Sequence, residues 1–201
     1  TITITYNANG GSGAPGASSG TLYNAQANVS ITLSGTKPTR TGYTFVGWNT
    51  SSTAATASHQ PSTAYSFSNN TTLYAVWDAN SYTLTVNPSG GTWNGSTNSQ
   101  SFTQDYGTTK TIANPTPPSG YTVTFNGNNG TAGSSSLKST KSFSNWTKSG
   151  SGSLNGTTYT FGAGAGTLTA SDTNNAITLP TATRTGYTFN GWYTAASGGT
   201  R

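Results

Sequence analysis

Short runs of the chain alternate apolar and polar residues with a period of two, as at Ile2, Ile4 and Tyr6 and again at Leu73, Ala75 and Trp77. Successive side chains of an extended strand point to opposite faces, so each run predicts a half-buried strand. Gly and Asn/Gly clusters separate the runs throughout and predict turns. No window places apolar residues at the spacing of an amphipathic helix. The best candidate, around Leu22 to Val29, would make one or two turns and is rich in Asn and Ala, so any helix is expected to be short.

The runs recur in a fixed order. Arg40-Thr41-Gly42-Tyr43-Thr44-Phe45-Val46-Gly47-Trp48-Asn49-Thr50 returns as Arg184-Thr185-Gly186-Tyr187-Thr188-Phe189-Asn190-Gly191-Trp192-Tyr193-Thr194, identical at nine of eleven positions. The opening Tyr6-Asn7-Ala8-Asn9-Gly10-Gly11 is echoed by Val86-Asn87-Pro88-Ser89-Gly90-Gly91, and Tyr65, Phe67 and Leu73 by Tyr159, Phe161 and Leu168. Such self-similarity marks a repeat architecture. It places a first module at residues 1–78, a second at 81–172 and a partial third at 173–201. The second is longer by an inserted hairpin near 121–142, where a strand pattern runs into Asn126-Gly127-Asn128-Asn129-Gly130 before Phe143 and Trp146 resume the repeat. Phe125-Asn126 with Gly130 also resembles a module opening, so residues 121–172 are open to a second reading as a small nested unit. The third segment reaches Arg201 without closing strands, as a piece of a longer array would.

Composition narrows the functional classes. Thr, Ser, Gly and Asn make up more than half of the 201 residues, and charged residues only 5% against a usual ~25%. There is no Cys, Met or Glu, so stability comes without disulfides and thiolate metal sites are excluded. The net charge of +5 comes from Lys and Arg spread along the chain, without the density of a nucleic-acid footprint. No stretch approaches the ~18 to 20 apolar residues of a membrane span, and the N-terminus lacks the regions of a signal peptide. Eleven Tyr, five Trp and seven Phe supply core area that scarce aliphatic residues cannot, which argues against disorder.

Pro38-Thr39-Arg40-Thr41-Gly42-Tyr43-Thr44-Phe45-Val46-Gly47-Trp48 and Thr72-Leu73-Tyr74-Ala75-Val76-Trp77, with the Asn7 to Gly11 turn, resemble the internalin B-repeat family, also called the Listeria-Bacteroides repeat. The resemblance is good in the first module, partial in the second and covers half a unit in the third. The second departs by its insertion and by closing on Thr169-Ala170-Ser171 rather than Trp. The resemblance implies a mainly β, β-grasp-like α+β module with little helix, strung in tandem on bacterial surface proteins, and no enzyme activity. The residues point the same way: Tyr43 and Phe45 share a sheet face, and Gly47 would allow a bulge or a close backbone approach that turns Trp48 inward. The repeat core is expected to comprise Tyr43, Phe45, Trp48, Leu73, Trp77, Phe143, Trp146, Tyr187, Phe189 and Trp192.

Candidate chemistry is sparse. A catalytic triad needs a positioned base, and the only His, His59, lies in an Ala/Thr/Ser-rich stretch that reads as a solvated loop. Glycosidase chemistry or a calcium cage would require Asp78, Asp105 and Asp172 to converge, although two of them sit at module ends. Gly162 to Gly166 lacks a following helix to present N–H groups to a phosphate and reads as a turn. Lys110 beside Asp105 is the pair to consider for an intramolecular Lys–Asn isopeptide bond. Trp93, in the turn-like Gly90-Gly91-Thr92-Trp93-Asn94-Gly95, is the tryptophan with a claim on a contact surface.

These features predict a non-enzymatic, extracellular protein of the bacterial cell surface, cell-wall-attached or secreted, acting as a stalk or adhesin array. One alternative is the subunit of an extracellular filament in which the Thr1 to Tyr6 strand completes another copy's sheet; another is a carbohydrate-binding module. Expected partners are neighbouring repeats, other copies, and a host surface protein or glycan, with no nucleic acid, metal or cofactor.

Overall fold

The structure is a computed structural model describing residues 1–24 and 26–201. The chain is mainly β, and no helix occurs among the described residues. The candidate helix at Leu22 to Val29 contains Ala25, which lies outside the described residues; strand structure begins at Val29. Runs of Thr, Asn, Gly and Ser rank low in helix propensity and favour turns and strands instead.

In chain order the first strands are β1 (Ile2–Asn7), β2 (Ser18–Gly20), β3 (Val29–Thr32), β4 (Tyr43–Asn49), β5 (Ala64–Phe67) and β6 (Thr71–Ala79). There follow β7 (Ser81–Asn87), β8 (Gln100–Asp105), β9 (Thr109–Thr111), β10 (Thr122–Thr124), β11 (Thr131–Ala132) and β12 (Ser136–Lys138). The last are β13 (Lys141–Gly150), β14 (Ser153–Asn155), β15 (Thr158–Thr160), β16 (Gly166–Asn174) and β17 (Ala182–Thr183). Strands β13, β16, β7 and β8 form a four-stranded sheet in that order. The chain divides into two compact units, one of residues 1–84, 102–111 and 150–166, the other of residues 85–101, 112–149 and 167–201.

In the first unit a four-stranded sheet runs β2-β1-β6-β4. Its central pair is parallel, with Ile4 opposite Thr71 and Tyr6 opposite Leu73, and both outer pairs are antiparallel. Alternation sends Ile4, Tyr6, Leu73 and Ala75 to one face, where they meet Leu33, Trp48 and Phe67 in a single core. Between Phe45 and Gly47 the register of β4 shifts, and beyond that bulge Trp48 lies opposite Ala75, fully buried. The Trp48 ring contacts Tyr6 and Phe45, each with centroids 5.0 Å apart. Burying one such aromatic removes ~150 to 250 Å² from water, roughly 4 to 6 kcal/mol of transfer free energy at ~25 cal/mol per Å². A handful of aromatics thus enlarges a core whose aliphatic members, Ile4, Leu33, Leu73 and Ala75, are few. The same unit holds the β14-β15-β9 sheet, where Tyr159 and Phe161 are buried edge to face at 5.2 Å.

In the second unit Trp146 is buried and contacts Phe143 at 5.4 Å and Trp93 at 6.4 Å. Strands β10 and β12 pair as a hairpin, and β11 pairs with β17. Trp192 packs on Phe125 at 4.9 Å and Phe189 at 5.3 Å, and donates its indole N–H to the Pro180 carbonyl at 2.6 Å.

Candidate functional site

Three turns share one construction. The Asn7 side-chain oxygen accepts the Asn9 N–H at 2.8 Å, Asn87 does the same for Ser89 at 2.8 Å, and Asn126 for Asn128 at 2.9 Å. Each is an Asx turn, in which a short amide mimics a backbone turn and holds the next residues in the left-handed region. Asn9, Ser89 and Asn128 accordingly have φ of 48°, 53° and 46°. Beyond each turn a threonine or serine bridges to a distant threonine: Ser12 to Thr39, Thr92 to Thr116, and Thr131 to Thr183. The first and last of these threonines immediately precede Arg40 and Arg184.

The first turn floors a cleft lined by Gly10, Lys37, Arg40, Tyr43, Trp77 and Tyr106. Trp77 donates its indole N–H to the carbonyls of Ala8 and Asn9, at 3.0 and 3.1 Å. The Arg40 guanidinium lies 3.9 Å above the Tyr43 ring, within cation–π range. Tyr106 meets Tyr43 edge to face at 5.6 Å. The cleft offers aromatic faces, two cations and threonine hydroxyls. It contains no carboxylate or imidazole to move a proton.

Of the ten residues expected in the repeat core, Trp48, Leu73 and Trp146 are buried, and Tyr43, Phe45, Trp77, Phe143 and Trp192 are half-buried. Tyr187 and Phe189 are 66% and 38% exposed; among the described residues, 187–193 lie in no strand, whereas Tyr43 and Phe45 pair with β6. Trp93, the candidate for a contact surface, is 5% exposed, donates its N–H to the Ala113 carbonyl at 2.7 Å and packs its ring against Trp146. Where Trp48 has Tyr6 as a ring neighbour, the corresponding strand of the second unit supplies only Val86, and Trp93 is the ring that meets Trp146. The extra tryptophan in a Gly-rich turn, together with the Tyr-to-Val change, is the sequence signal for that substitution.

The remaining candidates are apart. His59 is half-buried, exchanges backbone hydrogen bonds with Trp48 and packs its ring 4.4 Å from Tyr65, which ties it more firmly than a solvated loop would. Asp105 accepts a hydrogen bond from the Ser81 hydroxyl at 2.6 Å, while the Lys110 ammonium sits 3.9 Å over Phe102. Asp78 pairs with Thr44 across β4 and β6, and one carboxylate oxygen of Asp172 is buried with no hydrogen-bond partner among the described residues. Residues 162–166 turn back on Ser151, whose N–H donates to the Ala165 carbonyl at 2.8 Å. Among the described residues no three His, Asp or Glu groups gather as a metal site would require, and no helix is long and apolar enough to cross a membrane.

Residues 3–76 and 153–201 match the family model of the Listeria-Bacteroides repeat domain. No solved structure matches the chain.

Proposed function

The chain belongs to the Listeria-Bacteroides repeat family, and we propose that it acts without catalysis as an extracellular repeat array of the bacterial cell surface, a stalk or adhesin segment that holds other parts away from the cell. The observation that carries this is the threefold Asx turn with its Thr bridge, a building block repeated along the chain. Repeats of this kind gain stability from contacts with their neighbours. We take the modules as residues 1–78, 81–172 and 173–201, each derived from a β-grasp-like plan; the parallel β1–β6 pair flanked by antiparallel strands supports that plan. On this division Asn80 lies between modules one and two, accepting from the Tyr106 N–H and donating to the Gly42 carbonyl, each at 2.9 Å, which favours a stiff connection.

Strand donation by Thr1 to Tyr6 is less favoured, since β1 is already paired along both edges by β2 and β6. A glycan site built on a tryptophan row is less favoured as well, with Trp48, Trp93 and Trp146 all buried. Light scattering with negative-stain microscopy on the 201-residue chain tests the assignment. A monomer whose tryptophan fluorescence no glycan alters is expected; regular polymers, or a saturable glycan-induced change, would replace it with the filament or the carbohydrate-binding function.

A further inference from the structure

The sequence Arg-Thr-Gly-Tyr builds the same corner twice. At the first, the Tyr43 N–H donates to the Arg40 carbonyl at 3.1 Å, Gly42 stands at φ 80°, and the Arg40 guanidinium caps the Tyr43 ring at 3.9 Å. At the second, the Tyr187 N–H donates to the Arg184 carbonyl at 3.1 Å, Gly186 stands at φ 77°, and the Arg184 guanidinium caps the Tyr187 ring at 4.0 Å. Backbone and cation–aromatic geometry agree within a few degrees and a tenth of an ångström.

The two differ in what they hold. Tyr106 fills the first corner, edge-on to Tyr43 and so close over Gly42 that a Cβ there would come within 2.2 Å of the ring. The turn that presents it is closed by the Thr108 N–H donating to the Asp105 carbonyl at 3.1 Å. At the second corner a Cβ on Gly186 would meet no atom within 4 Å, and the Tyr187 ring is 66% exposed. Both positive-φ glycines serve the turn; only Gly42 also serves an occupant. A corner already shaped, with its tyrosine held by the arginine, loses little freedom when a ring docks on it. An added edge-to-face aromatic pair brings a further ~0.5 to 1.5 kcal/mol beyond the area it buries.

We propose that the Arg184–Tyr187 corner is a docking seat for a tyrosine-bearing turn of a second repeat polypeptide, one built like Asp105-Tyr106-Gly107-Thr108, whose ring lies on the bare backbone of Gly186 and edge-on to Tyr187. The occupant follows from the first corner, where the same four residues hold that turn. The seat stands on this internal comparison and holds whether or not the array serves as a stalk.

The test uses the ¹⁵N-labelled 201-residue protein and a cyclic peptide closed around Asp-Tyr-Gly-Thr, with its Tyr→Ala analogue as control. Saturable amide shifts at Gly186 and Tyr187 are expected, weakened about tenfold or more by the alanine analogue, with no change at Gly42 and Tyr43, where Tyr106 is already in place. Tyr106→Ala empties the first corner, and the tyrosine peptide should then shift Gly42 and Tyr43 as well. Absence of a saturable shift at Gly186, or equal binding by the alanine analogue, would overturn the proposal. Should Tyr106→Ala fail to fold, the comparison of the two peptides on the unaltered chain still decides.

Discussion

The indole of Trp77 occupies the space that a side chain on Gly11 would need: a Cβ there would stand 2.5 Å from the Trp77 ring and 2.6 Å from the Thr39 carbonyl. The second glycine of the Asx turn is thus set by packing, and Trp77 of β6 and the turn following β1 are two halves of one fitting. Gly11→Ala should destabilise the first unit by about 1 to 3 kcal/mol, as overpacking against backbone does. Urea unfolding followed by tryptophan fluorescence measures it, and an unchanged midpoint would show that the turn can yield.

The Asx turns make a separable prediction. Asn7→Ala removes the acceptor for the Asn9 N–H and leaves Asn9 at positive φ without its local support. A loss of about 1 kcal/mol is expected, with a similar loss for Asn87→Ala, whereas Asn7→Asp, which retains the acceptor, should fall well short of that.

Trp48 is fully buried, yet its indole N–H has no hydrogen-bond partner among the described atoms. Trp48→Ala should cost about 3 to 5 kcal/mol through the cavity it opens. Trp48→Phe keeps an aromatic against Tyr6 and Phe45 and discards the orphaned donor, so it should cost about half as much or less. Equal losses in calorimetry would mean that the N–H is satisfied in solution.

Tyr159 gives one source of pH dependence. Burial pushes its phenol above the ordinary value of 10.0, and its hydroxyl donates to the Ser151 carbonyl at 2.7 Å. The folded state therefore holds this proton more tightly than the unfolded chain. That contribution is complete below about pH 10 and is lost as pH rises through the folded-state value. Denaturation midpoints should decline above pH 10, and Tyr159→Phe should flatten the decline while costing about 1 kcal/mol at neutral pH.

Much of this was legible in the residues. The period-two runs at Ile2 to Tyr6 and Leu73 to Trp77 lie in strands β1 and β6, and the bulge anticipated at Gly47 is the register shift of β4. The candidate cleft was less legible. Nothing in the local pattern around Tyr106 links it to Gly42, since that contact joins residues more than sixty positions apart. Trp93 does stand at a tight turn, exchanging backbone hydrogen bonds with Ser96, but that its ring packs against Trp146 depends on a residue more than fifty positions away.

The chain by itself determined a mainly β protein assembled from recurring aromatic strands and Asx turns, because side-chain alternation and turn chemistry act over a few residues and are written locally. Tertiary structure decided which copies of each motif are completed. Tyr187 and Phe189 carry the same identities as Tyr43 and Phe45, yet they stand more open to solvent, and among the described residues no strand pairs alongside them. Burial depends on what else the chain brings to a face, and that sum over distant residues is absent from any short stretch of sequence.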